Sequence, residues 1–211
     1  MKDIFLSGIQ WCGKWTQADL IMWKYPHIFK YFETWATLRA ISSTDNAIWN
    51  YLRDTIETWW LVKDEVVVAI FNVFLQTIES WDRLLLDWIL RKMWQAKAIC
   101  EKMKECWREF IVINFDLDDD IVYERLASRV VCAECGNNAI WGKVWGTCEH
   151  CNWKLIHRTD DANFEAVKKR IEAFHSETEP VLEWLEQEWR LIHIDAKKSV
   201  EDIFKEVEKY I

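Results

Sequence analysis

The sequence predicts an α/β protein: a five-stranded parallel sheet wrapped by helices and carrying two inserted units. Three observations lead there. Short apolar runs rich in β-formers recur at Asp3–Gly8, His27–Phe32, Arg83–Asp87, Phe110–Asp116 and Arg190–Asp195, with helix-spaced segments between them. Alternation of that kind builds a parallel sheet whose crossovers are helices. Thr34–Val62 is helix-rich and holds no strand-like run, so it reads as a helical insertion. Ser128–Asp161 holds four of the seven cysteines and every glycine beyond residue 13, so it reads as a separate small unit.

Taken in order, Asp3–Gly8 is the first strand, a loop follows, and Lys14–Tyr25 is amphipathic at helical spacing. The second strand starts at His27. Ala36–Ala40 and Ala47–Thr58 are the helical pieces of the first insertion. After the cysteine-rich unit, Glu165–His175 and Pro180–Glu188 return to helical spacing, and Val200–Ile211 closes the chain as a helix. His27 and His193, at or in strands, read as packed or hydrogen-bonded core residues, and His175 as an ordinary helix residue.

Composition narrows the function. The chain has 211 residues, 51% of them hydrophobic, enough to bury a sizeable core. A net charge of −8, from 27 Lys and Arg against 35 Asp and Glu, argues against coating nucleic acid or an anionic membrane through bulk charge. An anionic ligand must therefore be caught locally. No apolar run approaches the ~18 residues of a membrane span, and Met1-Lys2-Asp3 opens no signal-peptide stretch, so the reading is cytosolic, with neither nucleic acid nor membrane as partner. No Ser-His-Asp set or paired carboxylates can be identified.

Two motifs carry chemistry. Gly8-Ile9-Gln10-Trp11-Cys12-Gly13-Lys14-Trp15-Thr16 lies between the first strand and the first helix, where backbone N–H groups and a helix N-terminus cradle phosphates. Its Gly-x4-Gly-Lys spacing is that of a phosphate loop, with the hydroxyl residue one position late. Cys132-x2-Cys135 and Cys148-x2-Cys151 form two knuckles separated by 12 residues. Such pairs grip one tetrahedral Zn²⁺ through four thiolates, and with all four positions filled the site is structural. Cys100 and Cys106 carry no assigned role, Cys12 in the phosphate loop reads as an incidental thiol with a reactive thiol as the alternative, and His150, inside the second knuckle, is redundant as a ligand.

These motifs, with six more in order along the chain, resemble the adenylate kinases. Gly8–Ala18 is similar to the family's Gly-x-Pro-Gly-x-Gly-Lys-Gly-Thr-Gln-Ala, and Glu33–Arg39 to its Ser-Thr-Gly-Asp-x-Leu-Arg. Trp60–Glu65 resembles Gly-x-Leu-Val-x-Asp-Glu, and Leu86–Arg91 with Gln95 resembles Leu-Asp-Gly-Phe-Pro-Arg followed by Gln. Glu124–Arg129, His157–Asp161 with Arg170, and Asp195–Lys198 complete the series. Ala36 stands where the family has Asp, and Ile89-Leu90 where it has Phe-Pro.

The resemblance implies a P-loop nucleoside-monophosphate-kinase fold: a core of 1–32, 63–127 and 162–211, an AMP-binding insertion at 33–62 and a zinc-bearing LID at 128–161. It implies reversible phosphoryl transfer, ATP plus AMP to two ADP, by a monomer using Mg²⁺. ATP would lie against Gly8, Trp11, Cys12, Gly13, Lys14, Trp15, Thr16, Arg125, Arg129 and Lys198. AMP would lie against Thr34, Arg39, Trp60, Leu61, Val62, Trp88, Arg91, Gln95, Arg158 and Arg170. Lys14, Arg91, Arg125, Arg129, Arg158 and Arg170 would be the catalytic cations, with Asp87 holding magnesium through water. Another nucleoside monophosphate kinase, or a non-catalytic zinc-ribbon module on the same fold, stays open.

The chain has 16 Trp and 5 Gly, where ordinary usage of about 7% gives roughly 15 Gly. Trp11, Trp15, Trp35 and Trp88 stand at family glycines, and Trp153 follows the second knuckle where Gly is usual. One base separates the glycine codon GGA from UGA, which some genetic codes read as glycine and others as tryptophan. The excess is consistent with a parent gene that uses UGA for Gly, recorded here as Trp, with Trp184 on a helix a true Trp. Deliberate Gly-to-Trp replacement is the rival, and chance a third reading. Literal indoles in the phosphate loop are expected to impair activity.

Overall fold

The computed structural model describes residues 2–42, 62–128, 130–135, 138–139, 144–157 and 164–211. In chain order the elements begin β1 (Asp3–Gly8), α1 (Lys14–Lys24), β2 (Phe29–Glu33), α2 (Thr34–Ser42), α3 (Asp64–Leu75), β3 (Arg83–Asp87), α4 (Met93–Glu105), β4 (Phe110–Asp116) and α5 (Asp119–Ser128). They continue with β5 (Val130–Cys132), β6 (Asn138–Ala139), β7 (Leu155–His157), α6 (Phe164–Ala173), α7 (Glu179–Gln187), β8 (Leu191–Asp195) and α8 (Val200–Val207).

The five predicted strands form one parallel sheet in the order β2-β3-β1-β4-β8. β1, β3 and nearly all of β4 are buried, which is why they read as unbroken apolar runs rather than as alternating ones. Connections leave β1 toward β2 and β4 toward β8, in opposite directions, so the carboxyl end of β1 lies at the switch point where such sheets bind ligands. Phe5 packs edge-on to Phe110 at 5.0 Å between ring centres, and Phe32 lies 5.9 Å from Phe71 of α3, so sheet and helices share one core.

The amino edge of the sheet is held by a buried ion pair. Arg108 Nε donates to Asp3 Oδ2 at 2.7 Å and its Nη2 to Asp3 Oδ1 at 3.1 Å and to the Asp82 carbonyl, while Leu84 N donates to Asp3 Oδ1 at 2.8 Å. One carboxylate thus ties β1, β3 and the entry to β4.

Two helices end in the same way. After α4, Trp107 N donates to Lys104 O and Arg108 N to Met103 O, with Trp107 at φ 56°. After α7, Trp189 N donates to Glu186 O and Arg190 N to Leu185 O, with Trp189 also at φ 56°. Both are Schellman caps, whose left-handed position is ordinarily glycine because a Cβ there meets the following carbonyl.

The structure corrects several expectations. His27 lies in an exposed turn and β2 starts at Phe29, since Pro26 directs the chain into a turn first. His193 is exposed on the edge strand, its Nδ1 2.9 Å from Asp116 Oδ2; it is hydrogen-bonded but not in the core. α6 and α7 are joined without a gap by a π-helical turn, Phe174–Thr178, in which Glu179 N donates to Phe174 O. Pro180 has no N–H for the carbonyl four residues back, and the widened turn absorbs that loss. The closing helix ends at Val207 and tightens to a 3₁₀ turn over Glu208–Tyr210. Of the first insertion, 43–61 lies outside the described residues.

Arg108→Ala leaves Asp3 charged, buried and without its cation, and should lower folding stability by about 3 kcal/mol in urea denaturation. Arg108→Lys should recover only part, lacking the fork that reaches both carboxylate oxygens.

Candidate active site

The loop leaving β1 is shaped by its two glycines. Gly8 has φ 136°, and a Cβ there would sit 2.7 Å from both Cys12 Sγ and the Phe115 carbonyl, so no side chain fits. Gly13, at φ 98°, is the N-cap of α1 and gives no side-chain cap, leaving the first N–H groups of the helix free for an anion. Lys14 is buried and curls back into the loop. Its Nζ donates to Gly8 O at 2.7 Å and Ile9 O at 2.9 Å, and lies 3.3 Å from Cys12 Sγ.

β3 ends beside this loop. Asp87 is fully buried; its Oδ1 accepts from Trp88 N at 2.7 Å and its Oδ2 has no partner. Burial raises its carboxyl to about 6, against the pull of Lys14. Trp88 then turns the chain at φ 60°, and its ring lies 5.5 Å from Lys14 Nζ and 4.1 Å from the Arg91 guanidinium. Burial lowers Arg91 to about 10, opposed by Asp87 and reinforced by Arg170. The cavity between Lys14 and Arg91 holds about 10 Å³, room for one water at most. A larger cavity of about 320 Å³ lies at the opposite end of the sheet, by Lys2, Arg83 and Ile211, and contains none of the motif residues.

β5, β6 and β7 form a separate antiparallel sheet whose buried core among the described residues is Val130, Cys132, Cys148 and Leu155, with Val144 and Cys151 against it. All four knuckle sulfurs lie within 4.8 Å of one another, with Cys132–Cys151 at 3.3 Å and Cys135–Cys148 at 3.7 Å. Tetrahedral Zn–S bonds of about 2.3 Å need sulfurs just under 4 Å apart, so the cluster could hold zinc. Burial resists ionisation of Cys132, but the N–H groups of Cys135 and Glu134 and the neighbouring thiols pull it down to about 6, toward the ligating thiolate.

The family model for adenylate kinase matches residues 6–189. The chain belongs to the adenylate kinase family. Among its relatives, the adenylate kinase of Wolbachia pipientis subsp. Culex pipiens (strain wPip) is 33% identical over 99% of this chain and 97% of its own. Those of Acetivibrio thermocellus and Geobacillus sp. (strain WCH70) are 30% and 31% identical, over 97% and 99% of this chain and 95% and 98% of theirs.

Of the residues that the adenylate kinase resemblance singled out, the fold brings Gly8, Gly13, Lys14, Asp87, Trp88 and Arg91 together at the carboxyl ends of β1 and β3. Trp11, at φ 62°, buries its indole N–H without a partner, and Trp15 projects from the first turn of α1, where Thr16 is half-buried. Arg125 reaches the loop from α5, donating to Trp11 O at 3.3 Å and Ala196 O at 2.6 Å. Thr34 is buried with a free hydroxyl, Val62 is buried, and Trp35 meets the Trp88 ring edge-on at 6.5 Å.

Gln95 and Lys198 are engaged elsewhere. Gln95 Oε1 accepts from Arg91 N at 2.8 Å and its Nε2 donates to Asp64 at 3.3 Å, which fixes the turn carrying Arg91. Lys198 pairs with Glu206 at 2.6 Å on the surface. Trp60, Leu61, Arg129 and Arg158 lie outside the described residues, as does the side chain of Arg39.

Sequence reasoning missed the π turn. Phe174 and Thr178 line the cavity, and Thr178 Oγ1 donates to Arg91 O at 3.0 Å. His175, taken for an ordinary helix residue, bonds Glu179 at 2.8 Å and Asp119 of α5 at 3.1 Å. Only the Pro180 placement hinted at an irregular turn.

Asp87 sets a pH dependence. Its carboxyl protonates near 6 in the fold but near the ordinary ~3.9 when unfolded. Between those values the fold holds a proton that the unfolded chain has lost, so stability falls as pH rises from about 4 to about 6. Asp87→Asn should remove about 2–3 kcal/mol of that fall, read from urea midpoints across the range.

Proposed function

We propose that this chain is an adenylate kinase transferring a phosphoryl group reversibly from ATP to AMP, with the core, AMP-binding insertion and LID bounds given by the sequence. The observation that carries the reading is the convergence of Lys14 and Arg91 on one small cavity, with the unpartnered Asp87 Oδ2 beside it. Phosphoryl transfer asks a protein for positioning and for positive charge around the oxygens, with little covalent work.

In this reading the α1 N-terminus and the loop N–H groups hold the ATP phosphates, and Lys14 swings from the Gly8 and Ile9 carbonyls onto them. Arg91, fixed through its backbone by Gln95 and Thr178, takes the AMP phosphate, with Arg39, Arg158 and Arg170 completing that side. Arg125 and Arg129 close from the LID hinge over the transferring group. Thr34, Leu61 and Val62 line the AMP pocket. Asp87 would hold magnesium through water, and the ion would draw charge from the phosphoryl oxygens. Cys132, Cys135, Cys148 and Cys151 would hold zinc, tying together a flap too small for its own core. We place the enzyme in the cytoplasm as a monomer.

A second reading, kinase action on another nucleoside monophosphate, is favoured by Gln95, whose amide is already bonded to Arg91 and Asp64. A coupled assay of the chain carrying Trp11→Gly, Trp15→Gly and Trp88→Gly, with ATP and AMP, UMP, CMP or GMP in turn, separates the two, and turnover with none of them would overturn both.

In the chain as written the indoles stand in the way. Trp11→Gly, Trp15→Gly and Trp88→Gly together should raise kcat/KM about a hundredfold or more, a few kcal/mol of transition-state stabilisation, while Trp189→Gly changes folding alone. In that background Lys14→Ala should cost about 10²–10³ in kcat. Metal analysis should find one zinc per chain. Chelation should expose the β5 and β7 amides to hydrogen exchange while those of β1 and β4 stay protected, and Cys132→Ser should lose the metal.

A further inference from the structure

Twelve of the 16 tryptophans lie in described residues, and none of them is in the buried core. Eight of the twelve are exposed, which is contrary to how Trp is used, since its large ring is highly buried on average. Backbone conformation sharpens the point. Seven described residues other than glycine have positive φ, and five of them are Trp: Trp11, Trp88, Trp107, Trp145 and Trp189. Only a few per cent of non-glycine residues adopt that region, and a bulky one there is an outlier.

The five positions have different surroundings but one requirement. Trp107 and Trp189 occupy the left-handed position of the two Schellman caps, and each is 95% exposed, so no packing holds the ring there. Trp145 lies in the cysteine-rich unit at φ 67°, its N–H on the Leu155 carbonyl and its ring in solvent. Trp11 packs partly against the core but at positive φ and with its indole nitrogen buried without an acceptor, which costs free energy. Trp88 fills the space between two cations. In every case the backbone, not the side chain, does the work. Trp184 is the contrast: it lies on the regular helix α7, half-buried against the core, where an indole has something to pack on.

We infer that the polypeptide made by its own organism carries glycine at positions 11, 88, 107, 145 and 189, and that the gene encodes them by UGA read as glycine. Positions 107 and 189 lie outside the nucleotide motifs, so helix-cap geometry supports the inference independently of any resemblance. At position 88 it bears on the site, a consequence that rests on the proposed phosphoryl transfer: without the indole, the space between Lys14 and Arg91 opens to a phosphate-sized group.

The test is peptide mass spectrometry on the protein from its own organism. Cleavage after Lys and Arg yields residues 171–190 as one peptide holding both 184 and 189, together with 105–108, 84–91, 3–14 and 144–154. The expected 171–190 peptide has Trp at 184 and Gly at 189, and the 105–108 peptide has Gly at 107. Trp at 107 and 189 would overturn the inference whether or not the protein is a kinase. A recombinant arm needs neither the organism nor a substrate: the chain with glycine at all five positions should unfold at a higher urea midpoint than the chain as written. An equal or lower midpoint would count against glycine as the residue these turns were built for. Failure of the kinase reading would register in the coupled assay alone and leave both measurements untouched.

Discussion

Left-handed backbone at the chain reversals is the constraint on which the rest of this structure depends. The phosphate loop turns through Gly8, Trp11 and Gly13, the segment after β3 through Trp88 and Leu90, the ends of α4 and α7 through Trp107 and Trp189, and the cysteine-rich unit through Trp145 and Asn152. Each reversal directs a polar backbone group at a partner. Without those dihedrals, α4 could not return to β4 nor α7 to β8 within the few residues available, and the sheet could not keep its order. A Cβ at such positions costs roughly 1–2 kcal/mol, so their residue identities are set by the backbone before any side chain matters.

The site inherits this economy. Lys14 and Arg91 are brought close by the ends of two adjacent strands, and keeping like charges out of water near each other is expensive unless an anion lies between them. Asp87 supplies part of that compensation, and its carboxyl is raised because burial costs it more than Lys14 returns. The Gly8 and Ile9 carbonyls that accept from Lys14 supply more, and in the chain as written the Trp88 ring also lies against both cations. An arrangement that holds cations this way is poised for a ligand with more negative charge than a single carboxylate provides. The π turn adds precision, since Thr178 fixes the Arg91 carbonyl while His175 ties the same turn to the helix leading toward the cysteine-rich unit.

That unit shows the opposite strategy. Among the described residues its own buried apolar core is four side chains, two of them cysteines, far short of what an independent fold needs. A zinc ion on the four cysteines, as proposed above, would replace the missing burial and let so small a unit be ordered. No helix among the described residues is long and apolar enough to cross a membrane.

By itself the sequence determined the sheet, the phosphate loop and the four-cysteine cluster, because each rests on local spacing: apolar runs between helical segments, Gly-x4-Gly-Lys after a strand, and two knuckles at fixed separation. It also showed that Trp stood in place of Gly, though not why Trp107, Trp145 and Trp189 belonged with the rest. Tertiary structure decided what spacing cannot encode. The neighbours of Asp87, the bonding of Gln95 to Arg91 rather than to an open pocket, the exposure of His193 on an edge strand, and the role of Thr178 all depend on residues tens of positions apart meeting at the carboxyl end of one sheet. Burial and charge act through space, so the pKa of Asp87 and the closeness of Lys14 to Arg91 exist only once the strands are paired.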